Sequence, residues 1–536
     1  MSKEIKKMEK AGIGSIVPIY RDMPMGQCAV EYFARLSNYG REENAMLLES
    51  ADIVKKYGEQ SIGSSDPCLK VIGKKENFEI IALNKLGERF LSFIEGRLDF
   101  CDEVEYGTNK IQGKLRPVRG DFSEEERLNL KTHADILRTV AFAFKPTEKP
   151  IVPYGGLFGN ISYDFIDQFE DLPKNKSMLL DEPDYEMNYY DSVFTIDHKK
   201  KKITFIANAL LMDDDYGGIL ADCLKRIEIY EKAINKKIPA AKKPKLKNLT
   251  ISTDTPKKKF EEIVKKMKKH IVMGDVFQVV PSRTIISSYD AEPLDIYRDL
   301  RRLNPSPYMF YMNFSSGILV GSSPEMFLKV EGGDKKKLEI RPIAGTKPRG
   351  IINGKIDADL DSRYETELKL DAKELAEHTM LIDLARNDVA RVSEPGTRVA
   401  DRPYEVEKYS HVQHLVSNVS GILRKDLDAM HAYLASMNMG TLTGAPKVEA
   451  MKLIRKYENN KRGFYGGSVG YLTPSGDFDS CICIRSMRLK NGKAYVRAGA
   501  GIVYDSIPEK EFDESNKKAR ACLKAIELAQ EVNGND

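Results

Sequence analysis

The sequence predicts an α+β fold built on large antiparallel sheets. Short β-like runs arrive as neighbours, as in GILVGSS (317–323), EMFLKV (325–330) and KLEIRPI (337–343), with helical stretches on either side. The 536 residues are 41% hydrophobic and 31% charged, a globular composition with ample material for a core. At roughly 150 residues per domain, that length allows two to four folding units or one large intertwined one.

Taken in order, residues 1–245 read as a mixed α/β region. HKKKKITFIANA (198–209) is a turn feeding a strand, and 216–235 is a helix. The Lys- and Pro-rich stretch 236–245 is the best linker, so an N-terminal region (1–245) is set apart from a C-terminal one (250–536). Behind Thr255-Pro256, the residues Phe260, Ile263, Val264, Met267 and Ile271 keep helical spacing. The lysines between them have no interleaved aromatics, so they read as a solvated face rather than a nucleic-acid face. DVFQVV (275–280) is a strand. A long helix covers 364–390, with an apolar stripe of Leu368, Ala372, Leu375, Thr379 and Ile382. GGSVGYL (466–472), CICIRSMRL (481–489) and AYVRAGAGIVY (494–504) are strands, and a last helix runs through Phe512, Ala519, Leu523 and Ile526. Tyr154-Gly155-Gly156-Leu157-Phe158-Gly159 echoes Tyr465-Gly466-Gly467-Ser468-Val469-Gly470, as two sheet halves on one plan would.

Several function classes drop out. The net charge is +4, with no dense basic domain, which argues against a dedicated nucleic-acid binder. No window holds the roughly 18 apolar residues of a membrane helix. The N-terminal MSKEIKKMEK has no apolar h-region. The seven cysteines (Cys28, Cys68, Cys101, Cys223, Cys481, Cys483 and Cys522) lack paired spacing and read as reduced thiols in a cytosol. There is no tryptophan.

Four constellations carry possible chemistry. Glu374 and Glu377, three apart in a helix, present both carboxylates on one side, and Glu511 and Glu514 repeat the spacing. Together they offer hard oxygen ligands suited to Mg²⁺, or simply two solvated helix faces. Gly499-Ala500-Gly501 at a strand end, and Gly345-Thr346, offer backbone N–H groups to an anion. Arg485, in an apolar strand, needs a carboxylate, either a substrate's or an internal one. Gly440-Thr441-Leu442-Thr443-Gly444-Ala445-Pro446-Lys447 runs a Gly-rich turn into a helix but lacks a Walker ending. Of seven histidines, four fall in 378–431. His411 and His414 would face opposite ways on a strand, which disfavours a shared metal and leaves one as an acid–base group.

The ordered segments NPSPYMFYM (304–312), GSSPEMFL (321–328), IRPIAGT (340–346), ELAEHTMLIDLARND (374–388), HVQHLVSNVSG (411–421), GTLTGAPK (440–447), FYGGSVGY (464–471) and RAGAGIVYDS (497–506) carry a resemblance. The chain resembles the chorismate-utilising enzymes, most closely their anthranilate synthase component I (large-subunit) branch. The likeness is dense from 275 to 526 and weaker over 1–245.

The resemblance implies a two-sheet antiparallel sandwich with flanking helices, in which N- and C-terminal sections interleave. It implies Glu377 and Glu514 as Mg²⁺ ligands, with Glu374 and Glu511 beside them. Gly345, Thr346, Tyr465, Arg485, Gly499, Ala500 and Gly501 become chorismate contacts, with Lys518 adding charge. Glu325 becomes the acid that protonates the leaving C4 hydroxyl, and His414 and Thr441 line the ring side. The implied reaction is a lyase reaction: ammonia adds at C2, water and then pyruvate leave, and anthranilate forms, in the first committed step of tryptophan biosynthesis. Ala344 stands where related aminodeoxychorismate synthases carry a nucleophilic lysine, and Gln278 where isochorismate and salicylate synthases carry a water-activating one. Ammonia is then the remaining nucleophile. No cysteine has a glutaminase elbow (Gly26-Gln27-Cys28-Ala29-Val30 comes nearest and fails), so a separate glutamine amidotransferase subunit, in a heterotetramer, is the implied partner. Ser50, Pro307, Tyr308 and Met309, supported by Glu49 and Asn304, resemble a site for feedback inhibition by L-tryptophan. The alternatives are an aminodeoxychorismate synthase large subunit, disfavoured by Ala344, and a silent sensor, which would have shed some of Glu325, Glu377, Arg485 or Glu514.

Overall fold

The computed structural model describes residues 3–26, 28–51, 60–148, 153–175, 177–245, 248–409 and 412–531, so His411 lies outside it. The N-terminal part contributes β1 (Ser15–Pro24), β2 (Met46–Glu49), β3 (Gln60–Ser64), β4 (Leu69–Lys74), β5 (Asn77–Ala82), β6 (Gly156–Ile161), β7 (Tyr185–Tyr190), β8 (Ser192–Asp197) and β9 (Lys202–Leu210). The C-terminal part contributes β10 (Ser282–Ser288), β11 (Tyr308–Phe314), β12 (Gly317–Ser323), β13 (Met326–Gly332), β14 (Lys336–Ile340), β15 (Val412–Ile422), β16 (Ser468–Leu472), β17 (Phe478–Ile482), β18 (Ser486–Lys490) and β19 (Lys493–Gly499).

Two sheets hold all of them. The first runs β1-β9-β8-β3-β2-β11-β12-β18-β19-β10 through its middle. The second runs β5-β4-β7-β6-β16-β17-β13-β14-β15. Read outward from the centre, the two halves of each sheet are the same. In the first, β2, β3, β8, β9 and β1 answer β11, β12, β18, β19 and β10. In the second, β6, β7, β4 and β5 answer β16, β17, β13 and β14. The halves meet at two antiparallel seams, β2 on β11 with Glu49 opposite Met309, and β6 on β16 with Gly159 opposite Gly470. The sequence echo around Tyr154 and Tyr465 thus marks the strands that meet at a pseudo-twofold axis. Close approach there needs glycine: a Cβ on Gly159 would stand 2.2 Å from the Glu186 carbonyl, and one on Gly470 2.1 Å from that of Asp479.

Alternation along each strand explains the layers. On β11, Phe310, Met312 and Phe314 join one core cluster together with second-sheet residues such as Leu157, Phe327 and Leu338. The intervening Met309 and Tyr311 point the other way, into a cluster with helices Ala29–Leu36, Tyr216–Ile234, Pro293–Leu303 and Pro508–Gln530. The architecture is therefore sheet on sheet, with helices flanking. Phe260, Ile263, Val264 and Met267, on helix Lys257–Met273, are buried as their spacing predicts, in a third cluster with Ala450, Leu453 and Ile454 of helix Lys447–Tyr457.

Three expectations need correction. The helix expected over 364–390 is two, Ala358–Leu370 and Ala372–Ala390, because Asp371 ends one and caps the next by accepting from the Lys373 and Glu374 N–H groups. The restart shifts the phase. The second helix buries His378, Leu381, Ile382, Ala385 and Val389, while Ala372 and Thr379 are exposed. CICIRSMRL is not one strand: it breaks after Ile482 and resumes at Ser486 in the other sheet, with Arg485 at φ 50°. In DVFQVV only Gln278–Val279 is a strand, and Phe277 is 74% exposed.

Candidate active site

The break at Arg485 builds the site. Two connections cross between the sheets here, β12 to β13 through Glu325 and β17 to β18 through Arg485. They are stitched together, since Ser322 N–H donates to the Arg485 carbonyl (3.1 Å) and Ile482 N–H to the Glu325 carbonyl (3.0 Å). An acid and a cation thus meet at the strand ends where the chain passes twice from one sheet to the other. Among the described residues the Arg485 guanidinium has no ion-pair or hydrogen-bond partner, so the internal salt bridge left open by the sequence does not form.

Glu325 is 6% exposed, and burial pushes its carboxyl up to about 8, against the opposing pull of Thr441, Arg485 and Lys518. Thr441 lies close enough to favour the carboxylate, yet neither Glu325 Oε1 nor Thr441 Oγ1 completes a hydrogen bond. His414, on β15, shares its Nδ1 between the Gly345 carbonyl (2.9 Å) and Thr346 Oγ1 (3.1 Å). A carbonyl only accepts, so Nδ1 carries the proton and Nε2 keeps its lone pair. Burial, with Arg485 nearby, pushes His414 down to about 4, so it is a neutral imidazole at physiological pH. Tyr465 is buried, and burial raises its hydroxyl against the pull of Arg462, Arg485 and Arg497.

The carboxylates run beside the glycine turns. A Cβ on Gly345 (φ 66°) would stand 3.1 Å from Glu374 Oε2, and one on Gly501 3.7 Å from Glu377 Oε1. Burial raises all of Glu374, Glu377 and Glu511, and the Glu514 charge adds to each. Glu514 is paired with Lys518 at 2.6 Å, so that lysine's charge goes to the acidic cluster. The donor set is hard oxygen and mutually repelling, which suits a divalent cation. Among the described residues, however, no group of three or more such side chains is drawn in tightly enough to hold one as it stands.

Two anion-binding expectations narrow. Ala500 N–H is donated to the Pro281 carbonyl (3.2 Å), so Gly499-Ala500-Gly501 does not offer a full row of free donors. Gly440–Thr443 is a single helical turn, and Lys447 is spent on Asp388 (2.6 Å) and the Ser436 carbonyl (3.0 Å). Sequence reasoning also passed over two contacts. Gln278, considered only as a substitute for a lysine, donates to Glu377 Oε1 (3.2 Å). His378, one residue on from Glu377, holds Ser417 Oγ at 2.7 Å.

Between the sheets and across the β2–β11 seam lies a separate cavity of about 530 Å³. Glu49, Ser50, Pro307, Tyr308 and Met309 all line it; Asn304 does not, and its amide is donated to Ser322 Oγ (2.9 Å). Glu49 is buried and held by Tyr297 (2.5 Å) and Arg301 (3.1 Å). Tyr308 donates to Asp479 (3.0 Å), whose carboxyl burial pushes up to about 6. No helix among the described residues is long and apolar enough to cross a membrane.

The chain that builds this site matches a known family over most of its length. The model of the chorismate binding enzymes matches residues 106–524. The chain is 41% identical to anthranilate synthase component 1 of Vibrio cholerae over 519 residues, covering 96% of this chain and 97% of that protein. It is also 41% identical to that of Escherichia coli K12, covering 91% and 93%. The crystal structure of anthranilate synthase component I from Streptococcus pneumoniae superposes with a TM-score of 0.69 at 32% identity, covering 87% of this chain and 92% of that one. The menaquinone-specific isochorismate synthase of Escherichia coli shares the fold, with a TM-score of 0.64 at 17% identity over 98% and 99% of the two chains. The chain belongs to the chorismate-binding enzymes. Within them it stands with the anthranilate synthase component 1 proteins, and it is an enzyme of that kind.

Proposed function

We propose that the chain converts chorismate to anthranilate and pyruvate, with ammonia as nucleophile and Mg²⁺ as cofactor, in the first committed step of tryptophan biosynthesis. The observation that carries the reading is Glu325, pushed up to about 8, beside an unpartnered Arg485. Arg485 receives one chorismate carboxylate as a bidentate partner. Gly345 and Gly501 let the backbone pass close to Glu374 and to Gln278 and Glu377, which sets the carboxylates beside the substrate. Ammonia adds at C2 as the C4–O bond breaks, and the Glu325 proton goes to the departing hydroxyl, which leaves as water. Loss of the C2 proton and of the enolpyruvyl group as pyruvate then makes the ring aromatic. A positioned acid contributes roughly 10²–10⁴-fold to such a step. Neutral His414 orients the ring side together with Thr441. Glu377 and Glu514, with Glu374 and Glu511 beside them, would hold Mg²⁺, which when bound neutralises the second carboxylate of the substrate.

The chain carries no glutaminase cysteine motif, so a separate glutamine amidotransferase subunit supplies ammonia in the cell, in a cytoplasmic heterotetramer. L-Tryptophan occupies the seam cavity, where Glu49, Ser50, Pro307, Tyr308 and Met309 converge, and inhibits. The test is anthranilate fluorescence from purified chain, chorismate, Mg²⁺ and excess ammonium, with and without tryptophan. A Mg²⁺-dependent signal that falls with tryptophan supports the reaction, the metal and the regulatory site. An aminodeoxychorismate or isochorismate product would overturn the reaction assigned, and a signal indifferent to tryptophan would overturn the regulatory site.

A further inference from the structure

Beneath the candidate site lies a charged knot that the reaction scheme does not use. Glu458, Arg462 and Arg497 are each at most 5% exposed. Glu458 Oε1 accepts from Ser282 N–H (2.7 Å), Ser282 Oγ (3.0 Å) and Arg462 Nη2 (2.6 Å). Its Oε2 accepts from Arg462 Nε (3.1 Å) and Arg497 Nη2 (2.6 Å). Two cations on one anion leave a buried surplus of one positive charge, an arrangement costly to desolvate and hard to justify by stability alone. The nearby Arg455 adds nothing to the surplus, because Asp164 and Asp167 pair with it.

Arg462 reaches further than its ion pair. Its Nη1 donates to the Leu442 carbonyl (2.7 Å), next to Thr441, and its Nη2 to the Val280 carbonyl (2.6 Å). Val280 leads into Pro281, whose carbonyl holds Ala500 N–H. The guanidinium carbon lies 4.5 Å from the Tyr163 ring centre and 5.9 Å from that of Tyr465. One planar fork thus ties together the Thr441 turn, the segment behind the glycine turn, and Tyr465. Lysine, a point donor, could not hold both carbonyls and the carboxylate.

We propose that Arg462 is a positioning residue for the substrate. It fixes the Thr441 turn against the Val280 segment, and the knot's surplus charge sits behind Tyr465 and the glycine turn to favour a dianionic ligand. The proposal rests on the chorismate site described above. The experiment compares the unmodified chain with Arg462→Lys and Arg462→Met in ammonium-dependent turnover, reading KM for chorismate and kcat separately, with thermal melting alongside. Arg462→Met leaves Glu458 paired with Arg497, so no charge is orphaned. The expected result is a KM raised by about tenfold or more in Arg462→Met with kcat little changed, and a KM partly restored in Arg462→Lys, because the charge returns without the fork. A third variant, Glu458→Gln, enlarges the surplus: its melting temperature should fall while KM for chorismate does not rise. A merely structural knot would raise KM whenever melting falls. Unchanged KM in Arg462→Met, or equal loss in the Lys and Met variants in step with melting, would overturn the proposal. Failure of the unmodified chain to make anthranilate would instead overturn the reading it rests on.

Discussion

Glu325 sets the pH behaviour of the chain at the scale of one residue. With its carboxyl near 8, the acid is available below that pH and lost above it. Free ammonia requires the opposite, so the rate against pH should be bell-shaped, with the alkaline fall following Glu325. Burial of the neutral acid also stabilises the fold fully below the ordinary carboxyl range, and that contribution is lost as pH rises toward 8. Glu325→Gln should therefore lower kcat by about 10²–10⁴-fold, leave chorismate affinity nearly intact, and melt higher than the unmodified chain, with the gap widening between pH 5 and pH 8. Retained turnover would remove the acid from the scheme. Ser50, in the seam cavity, has the opposite profile. Ser50→Leu should fill that space and raise the tryptophan concentration for half inhibition by about tenfold or more while sparing the basal rate, measured by anthranilate fluorescence. Glu325 stood out in the sequence only through resemblance, and Arg485 only as a charge in an apolar run whose partner was left open. The structural reason they matter, two stitched crossovers, joins residues far apart in the chain and left no local signal.

Elements decide where the carboxylates stand. Asp371 ends one helix and starts the next, and helix Ala372–Ala390 carries Glu374 in its capped first turn and Glu377 in the turn after it. Asp371→Ala should cost about 1 kcal/mol in stability and raise the Mg²⁺ concentration needed for half-maximal rate, read by titrating Mg²⁺ at saturating chorismate. An unchanged Mg²⁺ requirement would detach the cap from the metal. The same residue explains a misreading: an apolar stripe through Leu368, Ala372, Leu375, Thr379 and Ile382 is a sound pattern, but it assumes one helix, and a single Asx cap resets the register. CICIRSMRL failed for a related reason. An alternating apolar run does not reveal that the chain changes sheets at Arg485, where a positive φ ends the strand. By contrast GILVGSS, the Phe260 stripe and the helix over 216–235 were legible, because local periodicity and tertiary packing agree there.

At the scale of the whole molecule, 236–245 has no regular structure, as its composition suggests, yet it does not separate two sheets. Each sheet takes strands from both sides of it. We expect fragments 1–245 and 250–536 made apart to be insoluble or molten, and to regain native-like near-ultraviolet ellipticity only when refolded together; a cooperative melt from either alone would show independent domains. The paired seams, β2 on β11 and β6 on β16, have a consequence for how the chain is made. The ribosome delivers β2 and β6 long before their partners, so a half-finished chain presents two unmated strand edges to the cell. Those edges are complementary to sequence still untranslated in the same chain and, equally, to finished copies nearby. The yield of active enzyme should depend on how promptly translation supplies the second half, and synonymous slowing between the two seams is where nascent-chain aggregation would begin.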